Sequence, residues 1–163
     1  MSVYEKIAKT SKINGPGYIF SFMFNTNKKW FNSLKYISRQ TGFKVRTDRS
    51  TIKFRGFLYN PVLPIQDWLQ LIKTAEFVWT DSFHCMVFCI LFHKEFVVTP
   101  SYTGGEGRMI SLLKKIGLEK RFFYNSDEVE KSNIWSEKIV YSKVDEKLRD
   151  LKTHAREFLV EHL

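Results

Sequence analysis

The chain has 163 residues, with 26 Lys and Arg against 17 Asp and Glu, two Cys, and an aromatic complement of 15 Phe, 7 Tyr and 4 Trp. At 44% hydrophobic residues it can bury a continuous core, roughly 70% of the unfolded surface at this length. That excludes a disordered tail and a disulfide-stapled miniprotein, and folding needs no metal. The formal charge of +9 points to an anionic partner, whether a small anion, a membrane surface or a nucleic acid, with a plain solvated basic surface as the competing reading. Nucleic acid is the least favoured, because Lys28 and Lys29, the 44–55 stretch, Lys114 and Lys115, and Lys120 and Arg121 fall on different predicted elements rather than along one face.

The first fifteen residues read as a polar lead-in without the apolar core of a secretory signal. Asn14-Gly15-Pro16-Gly17 is a turn signal, and the apolar run Tyr18 to Phe24 predicts a buried strand. Asn27 can cap a helix carrying Trp30, Phe31, Leu34 and Ile37 at helical spacing, with Gly42 at its end. Phe43 to Arg46 is a second strand, and Thr47 to Asn60 reads as mostly irregular. Pro61 and Pro64 announce a helix whose face is Ile65, Trp68, Leu69 and Ile72.

Glu76 to Thr80 predicts a strand, Ser82 to about Phe92 a helix, Phe96 to Val98 a strand, and Arg108 to Ile116 a helix ending at Gly117. Val144, Leu148, Leu151, Ala155, Phe158 and Leu159 mark a C-terminal amphipathic helix over about 144–162. The alternation of strand and helix predicts one α/β domain over residues 1–163, a three-layer Rossmann-like parallel sheet flanked by helices with the last helix packed on it. Cys85 and Cys89 lie four apart in the longest apolar run, Cys85 to Phe92. They read as small buried thiols on one helix face in a reducing compartment. That run is far short of the ~20 residues of a membrane span, so the expected location is the cytoplasm, with peripheral contact at the inner face of the membrane left open.

In an open parallel sheet, ligands sit where strands end and helices begin. Two such junctions carry unusual polar residues. At Thr80-Asp81-Ser82-Phe83-His84, Asp81 or Ser82 can cap the following helix, a task that accounts for both without any ligand. His84 then falls in the first turn, where the dipole disfavours an imidazolium unless an anion offsets it. At the second junction Gly104, Gly105 and Gly107 permit close backbone approach to an anion and Arg108 adds a guanidinium fork, with a plain surface loop as the competing reading. The spacing fits neither a Walker loop nor a dinucleotide fingerprint. Asp81, Ser82 and His84 cannot chain as a triad at this spacing, and Cys85, Cys89 and His93 make a poor zinc set; no metal is expected. His93, His154 and His162 read as surface or helix-end residues.

The run Pro64-Ile-Gln-Asp-Trp68-Leu69-Gln-Leu-Ile72-Lys73-Thr-Ala75-Glu-Phe-Val78-Trp-Thr80-Asp81-Ser82-Phe83-His84, followed by Val87-Phe88-Cys-Ile90-Leu91-Phe92, Lys94, Phe96, Arg108-Met-Ile110-Ser111-Leu112-Leu113, Gly117-Leu118 and Arg121, resembles the polysaccharide pyruvyl transferase family. The likeness is strongest over 61–121, and Thr80 to His84 is its most specific part. The resemblance implies transfer of a pyruvyl group from phosphoenolpyruvate to sugar hydroxyls of a cell-surface polysaccharide or its lipid-linked precursor. The donor is a substrate, and no cofactor is implied. It implies a fold like the C-terminal half of a two-domain GT-B-type transferase, so an N-terminal half or a second copy of the chain is expected to complete the cleft, and the chain alone is expected to be inactive.

On this reading His84 is catalytic, and Asp81, Ser82, Phe83, Gly104, Gly105, Gly107 and Arg108 bind substrate. The chain departs from the family where Ser82 stands in place of an Arg found in some branches, where Cys85 follows the His, and where Lys94-Glu95-Phe96 replaces Lys-Pro-Phe. The first bears on the donor, while the other two read as structural. Two other functions compete: a glycosyltransferase-like domain binding a nucleotide-sugar, and a non-catalytic basic module binding nucleic acid or anionic membrane.

Overall fold

The computed structural model describes residues 2–13, 15, 17–47, 58–59, 63–101 and 105–162. In chain order the elements are α1 (Val3–Ala8), β1 (Tyr18–Phe22), α2 (Lys28–Thr41), β2 (Lys44–Thr47), β3 (Leu58–Tyr59), α3 (Ile65–Thr74), β4 (Phe77–Thr80), α4 (Phe83–Leu91), β5 (Phe96–Val98), α5 (Glu106–Ile116), α6 (Ser126–Ser132) and α7 (Tyr141–His162). Short 3-10 turns lie at Glu119–Arg121 and Ile134–Ser136.

The strands form one sheet in the order β3-β2-β1-β4-β5, and every neighbouring pair is parallel. Ile19 stands opposite Val45 on one side and Phe77 on the other, and Val78 faces Phe96. β1, β4 and β5 are buried along their whole length, as continuous apolar runs must be when helices cover both faces of a parallel sheet. The period-2 alternation of side chains divides the core in two. Tyr18, Phe20, Phe22, Val78 and Phe96 pack with Leu71, Ile72, Met86, Leu113 and Val144, under α3, α4, α5 and α7. Ile19, Val45, Phe77, Trp79 and Val97 pack with Trp30, Leu34, Ile37, Val129 and Ile134, under α2 and α6. The result is the three-layer Rossmann-like architecture expected from the strand and helix alternation.

Local signals account for the boundaries. Asn27 accepts the Trp30 N–H at 2.9 Å to cap α2, and Gly42 ends it in the left-handed region at φ 73°, where L side chains are disfavoured. Cys85 and Cys89 are both fully buried on the inner face of α4, as their spacing predicts.

Several expectations need correction. The lead-in contains α1, held by a reciprocal capping box between Ser2 and Glu5 and packed on α3; the Ser-x-x-Glu spacing was its signal. On α3, Ile65 is 59% exposed and Leu71 takes its place on the buried face. Thr47 and Leu58–Tyr59 belong to strands, while the remainder of the 47–60 segment, and Pro61, lie outside the described residues. α7 starts at Tyr141 and packs through Val144, Leu148 and Leu151, but Ala155, Phe158 and Leu159 are exposed. Periodicity reports an apolar stripe and does not say how much of it is buried. No helix among the described residues is long and apolar enough to cross a membrane.

Candidate functional site

The chain winds outward from β1 to β2 and β3, then returns to the other side of β1 to lay down β4 and β5. The crevice of such a sheet opens at the carboxyl ends of the two strands where the direction switches, here β1 and β4. Thr80, the last residue of β4, ties these ends together. Its hydroxyl donates to the Phe22 carbonyl at 2.7 Å and accepts the Ser82 N–H at 3.0 Å, while its carbonyl accepts the Thr99 N–H at 3.1 Å.

Asp81 completes the join. One carboxylate oxygen accepts the Phe24 N–H at 2.8 Å and the other the Asn25 N–H at 3.0 Å. Asp81 is 3% exposed, and burial pushes its carboxyl above the ordinary range against the opposing pull of these two N–H groups. Asn25 in turn donates from Nδ2 to the Ser101 hydroxyl at 2.6 Å, so the loops after β1, β4 and β5 are joined side by side.

These loops wall a cleft of about 400 Å³, lined by Phe24, Asn25, Asp81, Ser82, Phe83, His84, Ser101, Gly105, Arg108 and Met109. Ser82 caps α4, its hydroxyl accepting the Cys85 N–H at 3.4 Å. His84, in the first turn, is exposed, and among the described residues no hydrogen bond holds its imidazole; its ring stands edge-on to Phe83 at 6.0 Å. From the other wall the exposed Arg108 lays its guanidinium over the Phe83 ring at 5.1 Å, a cation–π contact that orients the group while leaving its N–H donors to the cleft. Arg108 also lies beside Gly105. Gly105 begins α5 at φ 97° with no side-chain cap. Two helix N-termini, each presenting backbone N–H groups and a positive dipole end, therefore open on one cleft with an imidazole and a guanidinium between them.

Of the residues selected from sequence, Ser82, Phe83, His84, Gly105 and Arg108 meet in the cleft. Asp81 is there as well, but it does not cap α4 and both its oxygens are engaged by backbone. Gly107 falls within the first turn of α5, off the cleft lining, and Gly104 lies outside the described residues. Phe24, Asn25 and Ser101 join the site without having been singled out. Their membership depends on which strands are neighbours, for which single-chain periodicity carries no signal.

The Lys94-Glu95-Phe96 departure proves to be a packing device. Glu95 accepts the Ile139 N–H at 3.1 Å and pairs with the buried Arg121 at 3.3 Å. Arg121 also donates to the Phe96, Ile134 and Glu137 carbonyls. His93 and His154 are exposed; His93 pairs with Asp145 at 3.1 Å and stacks on Tyr141. Among the described residues no three His, Cys, Asp or Glu side chains converge as a metal would require.

No curated protein matches the chain. The family description "Polysaccharide pyruvyl transferase" matches residues 1–101, which run from α1 through β5 and take in the Asp81 join and the whole Thr80–His84 run. The match reaches further toward the first residue than the quoted motifs and stops before α5, leaving Arg108 and the likeness up to Arg121 outside it. It covers more than half of the chain, including β1 to β5, and on that ground the chain belongs to the polysaccharide pyruvyl transferase family.

Proposed function

We propose that the cleft between the α4 and α5 N-termini binds phosphoenolpyruvate and presents it for transfer of the pyruvyl group to sugar hydroxyls of a polysaccharide or its lipid-linked precursor. The observation that carries this reading is the pairing of two helix N-termini with an imidazole that makes no hydrogen bond among the described residues and a guanidinium held over Phe83, all on one cleft. The donor carries two anionic groups, a phosphate and a carboxylate, and two N-termini offer two subsites. Arg108, held over Phe83, matches either group with a planar fork.

In ketal formation two acceptor oxygens bond to C2 of the donor, the C2–O bond to phosphorus breaks, and phosphate leaves. Of the two hydroxyl protons released, one ends on C3, converting the methylene to a methyl, and the other departs on phosphate. His84 is the cleft residue able to carry such a proton and, when protonated, to offset the charge that gathers on the departing phosphate. Ser82 and Asp81 act through shape, one by capping α4 and the other by holding the β1 loop against it.

Titration calorimetry with phosphoenolpyruvate tests this. Measurable binding at millimolar ligand that weakens about tenfold or more in His84→Ala and Arg108→Ala is expected, since each variant removes a charge-assisted contact. Absence of heat at millimolar ligand, or affinity unchanged in both variants, overturns it. A nucleoside diphosphate that raised the melting temperature more than phosphoenolpyruvate would move the reading to nucleotide-sugar binding, which the strand order also suits.

A further inference from the structure

We propose that the concave surface between the end of α5 and the start of α7 binds a phosphate group, at a site separate from the cleft. It has a volume of about 280 Å³ and is ringed by Lys120, Lys138, Lys143 and Lys147, with Glu137 as the single carboxylate on its lining. The floor is apolar, built on the buried Ile116, Ile134 and Val144. α5 begins at the cleft and ends here, so the two sites are separated by the length of that helix, roughly 16 Å for its eleven residues.

The lysines have no structural task that would explain their gathering. Among the described residues none of the four side chains makes an ion pair or hydrogen bond. Arg121, also on the lining, is by contrast fully engaged by Glu95 and three carbonyls. Lys147 does not serve as a cap for α5, because that end is already closed: the Leu118 N–H bonds the Leu113 carbonyl at 2.8 Å and the Gly117 N–H bonds that of Lys114 at 3.2 Å. Its ammonium nevertheless rests against Gly117, where a Cβ would stand 2.5 Å from Nζ.

The start of α7 adds to the imbalance. Its first turn has no acidic residue and holds Lys143, and the preceding Val140 has no polar side chain with which to cap it. A positive dipole end surrounded by lysines is the reverse of the usual charge arrangement at a helix start. An arrangement that repels itself is what a bound anion would resolve. Lysine ammonium groups, compact charges with three donors each, suit the oxygens of a phosphate, and the apolar floor suits a phosphate carried on an organic moiety.

The phosphate could be free or could belong to a lipid headgroup, and two probes distinguish these sources. Inorganic diphosphate is titrated at low ionic strength, and the chain is sedimented with vesicles of phosphatidylglycerol and, separately, of phosphatidylcholine. Binding to diphosphate identifies a free phosphate ligand; binding to phosphatidylglycerol vesicles alone identifies the lipid source. In either case the double variant K143Q/K147Q is expected to lose about tenfold or more in affinity and added salt to weaken binding, as follows for exposed charges. E137Q is expected to tighten it, and the component of binding lost in K143Q/K147Q is expected to persist in R108Q, which removes only the anion affinity of the cleft. Absence of binding to both probes overturns the proposal, as does binding unaffected by K143Q/K147Q in protein of unchanged melting temperature, or binding lost in R108Q.

Discussion

Asp81 shows how the chemistry of one residue is redirected by what surrounds it. A carboxylate at a helix start reads as a cap or a ligand, yet here both oxygens accept backbone N–H groups from Phe24 and Asn25, more than fifty positions away. Asp81→Ala leaves both donors without a partner and should lower unfolding stability by about 2–4 kcal/mol, whereas Asp81→Asn keeps one acceptor and should cost about 1 kcal/mol; denaturant titration measures both. The pH dependence has a definite sign. Burial raises the folded-state pKa of this carboxyl above its ordinary value of 3.8, so ionised Asp81 carries a stability cost that is fully present above the folded pKa. That cost is relieved as pH falls through the folded value toward the unfolded one. Stability of the wild type relative to Asp81→Asn should therefore rise on acidification from neutral pH, as thermal melts across that range would show. Arg121→Met should be more damaging, about 3–5 kcal/mol, because it strands Glu95 with little solvent and deprives three carbonyls of their donor.

At the scale of elements, most boundaries could be read from neighbouring residues because the forces that set them are local. Asn27, Gly42, Ser82 and Gly117 are caps whose chemistry is complete within a turn or two, and Asn27→Ala should cost about 1 kcal/mol in a chemical melt. The buried strands were legible because sheets covered on both faces tolerate unbroken apolar runs. α7 was legible as a helix and does pack on the core through Val144, Leu148 and Leu151, but the apolar stripe was read as running to its end. Residues 152–161 are all exposed, so a chain ending at Leu151 should melt within a few degrees of the full one. Val144→Ala, at a 2% exposed position, should cost about 1–2 kcal/mol. Equal losses from both changes would show that the distal turns carry stability after all.

At the scale of the molecule, the sheet order turns separate junctions into a site. If the cleft binds the donor only when folded, phosphoenolpyruvate at ten times its dissociation constant should add about 1.4 kcal/mol to wild-type stability. The same concentration should add far less to His84→Ala or Arg108→Ala, and a thermal-shift series reads the difference directly. The sequence by itself determined the succession of strands and helices, their caps, the burial of Cys85 and Cys89, and the Thr80–His84 run that marks the family, because each depends on residues close together in the chain. Only the tertiary structure decided that β1 lies beside β4, that Asp81 faces inward to hold Phe24 and Asn25, that Arg108 reaches across to Phe83, and that four lysines gather beyond the far end of α5. Those outcomes follow from strand pairing and side-chain packing between distant segments, and hydrophobic period, which names the face of an element, does not specify which other element will cover it.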